Sequence, residues 1–549
     1  MAGLLFIPWV MAIPGVAATA SAESADSELG RRIFEQGILP DGSPLRALRA
    51  GSLLLEGKSA ACATCHRHSG MGSVEGSGAT TVLVPPVAGP LLFKPARFHG
   101  HFLDSRHHWV PNDAWARALA RSAYDEKSLG RALREGWDAD GKRLLAPMPH
   151  YALDEQAVAA LAAYLKQLGA VAAPGVEADT LHLATVITPD APAGQADTVL
   201  GVLRAWATRA RGVAKPWRLQ VWELTGPPES WGEQLQARYR QQPVFAVLSG
   251  VGGAQWSRVH RFCEVNRVPC ILPSVEIAPE HEDDYYPVYY SPGAALEARV
   301  LARHLITARP VVPEVVQLFS DATGSQAAQT LRSHLETGAM QPNDRLYSPE
   351  NPAAALTDLP RDGALVLWLR PAELQQLVAI APQGPDVQHV FFSALLASPE
   401  ELVLPPAWKA RVSWVSLFDD MGLQAQIARA RLQRWLKQHG LPHSGSLRLQ
   451  ADAYAACYLF TSALSVISAE EVRRHPVPLS REHLLESLET LVNKYSDGTQ
   501  WVDPDSHVAY YGRMSLGPGQ RMAVRGGSLL RYAPPELRKL VMVSGRIVP

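Results

Sequence analysis

The chain has 549 residues, 47% hydrophobic and 19% charged, which is enough for several folding units of ~100–200 residues each. Its 52 basic and 53 acidic side chains leave a formal net charge of -1. No global field therefore recruits nucleic acid or an anionic membrane surface, and no nucleic-acid partner is expected. Five cysteines suit neither a disulfide scaffold nor a zinc domain.

The chain opens on a mostly apolar run, residues 4–16, interrupted by Pro8 and Pro14 and followed by Ala20-Ser21-Ala22. The small residues fit an A-x-A cleavage pattern, so residues 1–22 read as a signal peptide cut after Ala22. One departure is that no Lys or Arg precedes the apolar run. The run is short for ~30 Å of hydrocarbon, and no later stretch approaches ~20 apolar residues. The expectation is export to the periplasm as a soluble protein.

Residues 47–55 are expected to supply a helix and a pocket wall. After them comes Ala61-Cys62-Ala63-Thr64-Cys65-His66, the C-x-x-C-H signature of covalent haem attachment. Two thiols three positions apart lie on one side of a helical turn and match adjacent vinyl groups of one haem. The next residue, His66, then reaches the iron from below. A thioredoxin-like redox pair would follow a strand and open a long helix, whereas Arg67-His68-Ser69-Gly70 reads as loop. A zinc site needs further ligands, and only His68 is nearby.

Further on, Pro147-Met148-Pro149 presents a methionine on a loop stiffened by prolines. Residues 154–168 follow with Val158, Leu161, Ala162 and Leu165 on one helical face. Rivals for the second iron position are Met71, close to the motif, and the loop histidines His99, His101, His107 and His108. Those histidines also suit a second metal or a solvated loop. The segment 73–112 has no evident place, although 84–92 is apolar enough to pack on a haem edge. The order of motif, helices, Met-Pro loop and terminal helix resembles class I cytochrome c over residues 29–168. That resemblance implies an all-α domain over 23–169 holding one covalent haem c. Cys62 and Cys65 would form thioethers, with His66 proximal and Met148 distal. A His/Met-ligated iron has no free position and carries electrons at a comparatively high potential.

Residues 170–179 are small, aperiodic and Pro/Gly-containing, and 170–180 read as a linker. Beyond it, strand and helix patterns alternate. Strands are expected at 181–187, 218–224, 244–248 and 270–272, with helices at 195–211, 231–241, 255–266 and 294–308. A second set follows at 315–319, 326–336, 364–369, 371–380 and 390–393. Two such sets in series mean two parallel α/β lobes. The tail carries helices at 452–467 and 481–492 and then Gly-rich segments that read as hairpins.

Phe245-Ala-Val-Leu-Ser249-Gly250-Val-Gly252-Gly253 is a strand, a Gly-rich turn and a helix start, with backbone amides free to receive an anion. It is neither a P-loop nor G-x-G-x-x-G, and a tight turn alone explains it equally well. The whole succession over 181–541, within a domain of 181–549, resembles the type I periplasmic binding proteins, notably the branched-chain amino-acid receptors of ABC importers. By that resemblance a small-molecule ligand sits between the lobes, against Ser249, Gly250, Ser274, Tyr290, Asp321 and Ser393 at strand ends. The carboxylate that would hold an α-ammonium group is not assignable, Asp321 and Glu276 being candidates. Cys263 and Cys270 have a spacing compatible with a disulfide or with two buried thiols. Cys457 sits on an apolar helix as a small hydrophobe.

The expected function is periplasmic electron transfer by a non-enzymatic carrier with a fused ligand-binding domain. Its expected partners are a dehydrogenase or another cytochrome, a small molecule, and an ABC permease. The alternative is a transport or sensory receptor whose haem reports redox state or a gas. An enzyme is the least supported class, because the second domain offers no nucleophile–base–acid set.

Overall fold

The computed structural model describes residues 15–75, 82–96, 101–103, 109–111, 120–144, 147–209, 215–310, 312–338, 340–418, 422–441, 447–473, 477–496, 511 and 514–549. Most of the expected signal peptide, and His99, His107 and His108, lie outside them. The chain forms two units. The first comprises residues 1–173 and 469–483, the second 174–468 and 484–549. No helix among the described residues is long and apolar enough to cross a membrane.

The first unit is built on two crossing helices, Gly15–Gln36 and Glu155–Gln167. The approach is close because Gly30 has no side chain, and a Cβ there would lie 2.0 Å from the Ala160 carbonyl oxygen. Phe34 and Tyr164 pack beside it with ring centroids 5.5 Å apart. The expected cut after Ala22 falls in the first helix, ahead of Ser27, the first side chain seen to be buried. Asp154 caps the second helix by accepting from the Ala157 amide at 2.7 Å, as expected of an acidic N-cap. A third helix, Glu126–Glu135, starts on an Asp125/Ser128 capping box and stops at left-handed Gly136.

Between the helices the unit is not all-α. Residues 47–55, expected as helix, form an antiparallel pair, Arg46–Arg49 with Leu53–Glu56, and His150–Tyr151 adds a third strand. The reason is local. Ala50 and Gly51 both take positive φ, 50° and 75°, which makes a tight hairpin turn that no helix tolerates. Leu48, Leu53 and Leu54 stay exposed on it.

Among the described residues the second unit holds two sheets. In the first, β1 (Leu181–Ile187) lies between β2 (Trp217–Glu223) and a broken strand made of β3 (Ala246–Leu248) and β4 (Val251–Gly252). A second broken strand, β5 (Cys270–Ile271) and β6 (Ser274–Val275), comes next, and β7 (Pro287–Val288) closes the edge. The breaks coincide with positive φ at Ser249, Gly250 and Leu272. All pairings are parallel, and with each broken strand counted once the order is second-first-third-fourth-fifth, a doubly wound sheet.

The second sheet repeats that order. It contains β8 (Val315–Phe319), β9 (Asn343–Leu346), β10 (Ala364–Trp368), β11 (His389–Ser393) and β12 (Val412–Ser416), arranged β9-β8-β10-β11-β12. Its far edge is extended by an antiparallel hairpin, β13 (Ser528–Tyr532) and β14 (Leu540–Met542). Helix Ala294–Thr307, read from sequence as part of the first set, packs instead on helix Ala322–Glu336 and on β12. The chain therefore changes sheets at residues 291–293. Helix Arg448–Arg473 belongs with the first sheet, since Tyr454 meets Trp206 and Phe460 meets Trp217, each edge to face.

Candidate functional site

Two places gather the residues singled out above. In the first unit, Ala63–His66 form one helical turn with Cys62 at its N-cap. The His66 amide donates to the Cys62 carbonyl at 2.9 Å, so both cysteines and the histidine share that turn. His66 is buried, and its Nδ1 lies 2.9 Å from the Pro85 carbonyl oxygen. A carbonyl only accepts, so the proton sits on Nδ1 and the lone pair on Nε2. Burial lowers the imidazole pKa, which keeps the ring neutral and its Nε2 able to bind iron.

Pro85 comes from the segment that had no evident place in the sequence. Its carbonyl is brought to His66 because the post-motif loop lies against it. Val87 and Ala88 donate to the Gly70 carbonyl at 2.7 and 3.1 Å. Gly72 has φ +78°, and a Cβ there would lie 2.2 Å from the Val84 oxygen.

Cys62 belongs to an apolar cluster with Leu92, Leu129, Tyr151 and Leu161. Val87, Phe93 and Met148 pack against the same cluster. Burial pushes the Cys62 thiol up to about 12, against a hydrogen bond with Tyr151. No disulfide joins any of the five cysteines. Apolar walls, two thiols on one turn, a neutral imidazole with Nε2 open and a thioether on the same cluster together fit a covalently held haem.

In the second unit the six strand-end residues do not form one group. Ser249 and Gly250 occupy the break between β3 and β4, and the buried Ser249 hydroxyl has no hydrogen-bond partner among the described residues. The helix that follows their Gly-rich turn does receive an anion, but it is the chain's own. The Asp190 carboxylate accepts from the Gln255 amide at 2.9 Å and leaves no room for a Cβ at Gly253.

Ser274 and Tyr290 meet at Asp452. The Ser274 hydroxyl lies 3.4 Å from Asp452 Oδ2, and the Tyr290 hydroxyl donates to the Asp452 carbonyl at 2.6 Å. Arg448, one turn away, stands 3.4 Å from the same carboxylate. Tyr511 stacks on Tyr290 at 4.8 Å. Burial pushes Asp452 up to about 6 against the pull of Arg448 and hydrogen bonds from Tyr511 and Ser274.

Asp321 caps helix Ala322–Glu336 through the Gly324 amide at 2.7 Å and receives Arg370 on its other oxygen at 2.7 Å. Arg370 also forks onto both oxygens of Glu276, at 2.5 and 2.7 Å, and the Thr323 hydroxyl donates to Glu276 at 2.8 Å. Asp321 and Arg370 follow β8 and β10, the strands that flank the switch point of the second sheet, and Glu276 follows β6 of the first. Ser393 donates to Glu297, which also accepts from the Leu395 amide at 3.1 Å. Burial pushes Glu297 up to about 8.

Arg370, Glu297, Arg448, Asp452 and Tyr511 were not picked out from the sequence. The strand-end rule that named Asp321 applies equally to Arg370, directly before Pro371 at a helix start. The spacing of Arg448 and Asp452 at i,i+4 on one helix was a second available signal. Of the two readings of Cys263 and Cys270, a disulfide or two buried thiols, the structure has the thiols. Both thiols are buried in one apolar cluster with Trp256, Val259 and Val268, which accommodates them without a bond.

Residues 55–169 match the cytochrome c family model. No curated protein matches the chain. Among solved structures the fold is similar to that of a fatty acid ABC transporter substrate-binding protein from Thermomonospora curvata. That protein is 16% identical with a TM-score of 0.51, and the match covers 69% of this chain and 95% of that one. The fold is also similar to that of a branched chain amino acid ABC transporter from Thermus thermophilus with bound valine. There the identity is 12% and the TM-score 0.52, with 68% of this chain and 98% of that one covered. The chain thus joins a cytochrome c domain, at residues 55–169, to the fold of ABC-transporter substrate-binding proteins.

Proposed function

We propose that the chain is a periplasmic electron carrier with one covalent haem c, fused to a two-lobed domain that binds a small molecule, and that it serves a dehydrogenase or respiratory chain. The observation that carries the electron-transfer reading is the His66–Pro85 hydrogen bond. It sets the tautomer an axial ligand needs, inside the segment that matches the cytochrome family. When bound, the haem supplies reversible one-electron chemistry at its iron. Cys62 and Cys65 would hold it covalently, and His66 Nε2 and the Met148 sulfur would be the groups that bind its iron. Apolar walls around Cys62 exclude water, and Tyr151 orients the attachment turn.

In the second domain, the two sheets act as lobes. The polar groups between them, Ser274, Glu276, Tyr290, Asp321, Arg370 and Asp452, are the candidate ligand contacts. The carboxylates are paired with guanidinium groups, Glu276 and Asp321 with Arg370 and Asp452 with Arg448, so a charged ligand would bind by displacing one partner of such a pair. The fold likeness also supports a second reading, a transport or sensory receptor that docks on an ABC permease and uses its haem as a reporter.

Mass and visible spectra of the exported protein test the reading. One haem of added mass and a low-spin c-type spectrum on reduction are expected. No added mass would overturn it. Ready carbon monoxide binding by the ferrous wild type would favour the receptor.

A further inference from the structure

Away from both places, a third group of side chains remains unused. We propose that His260, His281 and Asp284 form a binding site for a divalent transition-metal ion. One donor atom from each lies within 4.8 Å of the other two. His260 sits on helix Ser257–Val265 and is only 3% exposed. His281 is exposed and Asp284 half-buried, so the site opens to solvent on one side.

The geometry around His260 is what asks for a cation. Its Nδ1 is 2.8 Å from the Tyr289 hydroxyl, whose ring stacks parallel to the imidazole. Its Nε2 is 2.8 Å from Asp284 Oδ2, yet no hydrogen bond satisfies that buried nitrogen. The Tyr289 hydroxyl can serve Nδ1 as acceptor or as donor; when Nδ1 carries the proton, the Nε2 lone pair is left to a cation. In that tautomer Nε2 and the Asp284 oxygen are two electron-rich atoms that repel unless a positive charge lies beside both. An ion bonded to nitrogen and oxygen at ~2.0–2.2 Å holds such a pair ~3 Å apart. The His281 ring centroid is 5.3 Å from that of His260, within reach as a third ligand.

Two imidazoles and one carboxylate suit zinc, nickel, cobalt or copper better than calcium or magnesium. Three protein ligands leave the remaining positions to water. The Tyr289 hydroxyl plays the outer-shell part, accepting the Nδ1 proton when Nε2 holds the ion. The ion would tie residues 281–284 to helix Ser257–Val265. That loop joins Glu276 to Tyr290, so its two ends carry residues of the polar group described above.

The test uses the full haem-bearing chain, dialysed against zinc chloride and read by elemental analysis. One tightly held zinc per chain is expected. His281→Ala and Asp284→Asn should each weaken it about 100-fold or more, since losing even an outer-shell partner costs ~10–100-fold. The haem spectrum and far-ultraviolet circular dichroism should be unchanged in both, which guards against misfolding. Absence of stoichiometric zinc would overturn the proposal. So would unchanged affinity in both variants, which would place the ion elsewhere, for instance at the histidines of 99–108.

Discussion

The hydroxyl of Tyr290 donates to the main-chain carbonyl of Asp452 at 2.6 Å, across 162 positions of sequence. Tyr290 lies just before residues 291–293, where the chain changes sheets, and Asp452 lies on the first turns of helix Arg448–Arg473. One buried hydrogen bond thus fastens a crossover to a helix packed on the first sheet. Tyr511 stacks on the same ring and Phe418 meets Tyr511 at 5.0 Å, so an aromatic column runs on from the Tyr290 ring.

Tyr290→Phe keeps the ring and removes the donor. The Asp452 carbonyl keeps its place in helix Arg448–Arg473 and loses only this second bond, at a cost of about 0.5–1.5 kcal/mol. Urea denaturation of the wild type and the variant measures this directly. Equal midpoints would mean that the bond does not contribute to stability.

Arg370 neutralises two carboxylates from opposite sheets, Glu276 and Asp321. Arg370→Met leaves Glu276, the more buried of the two, without its counter-charge. Breaking a buried pair costs ~3–5 kcal/mol and an exposed one under ~1. Arg370 is partly exposed, so about 2–4 kcal/mol is expected. The double variant Arg370→Met with Glu276→Gln should recover much of the loss, as read by a double-mutant cycle.

Glu297 titrates on the stabilising side of low pH. Burial outweighs the hydrogen bonds from Ser393 and Leu395 and lifts its pKa from 4.5 to about 8. The folded state then holds the proton more tightly than the unfolded one. Its contribution is complete below pH 4.5 and is lost as pH rises to about 8. Asp452, raised from 3.8 to about 6, acts in the same direction in a lower window. Between about 6 and about 8 the remaining slope of stability against pH should therefore flatten in Glu297→Gln. A slope unchanged by that substitution would show that Glu297 is not its source.

Met148→Ala should leave the haem attached through Cys62 and Cys65 but open one face of the iron. The reduction potential is expected to fall, and carbon monoxide to bind the ferrous variant where the wild type resists it. Redox titration and carbon monoxide difference spectra check both. An unchanged potential would move the sixth ligand to another residue.

Gly30→Val inserts a branched side chain where even a Cβ would sit 2.0 Å from the Ala160 oxygen. Overpacking of this kind costs about 1–3 kcal/mol or more. Loss of haem incorporation, or a lower midpoint followed at the haem absorbance, is the expected readout. Gly42→Ala, where a Cβ meets nothing within 4 Å, serves as a control for lost chain flexibility, although its own positive φ carries a smaller strain.

What the sequence made legible was local. The attachment motif is covalent spacing within one helical turn, and helix Glu155–Gln167 follows its apolar period to within a residue of each expected end. The alternation of short apolar strands with amphipathic helices likewise reads directly as two parallel sheets. Partnership was not legible in the same way. Periodicity showed that helix Ala294–Thr307 has a buried face, but not that this face belongs to the second sheet. Pro85 acts through a main-chain oxygen, which leaves no mark in residue type. Arg370, Arg448 and Asp452 gain their roles from residues far along the chain. The hairpin at Arg46–Glu56 was misread because its leucines suggested a buried helix, whereas three of them face solvent.

The assignment of residues 469–483 to the first unit changes what a protease or a truncation can do. Ala173 donates to the Leu479 carbonyl at 3.0 Å, so the end of the cytochrome portion is stitched to a stretch that returns some 300 positions later. The two units are interleaved along the polypeptide and joined at three boundaries. A nick in the Pro/Gly stretch would sever one of these and release neither half. A fragment ending at residue 169 would also lack part of its own body.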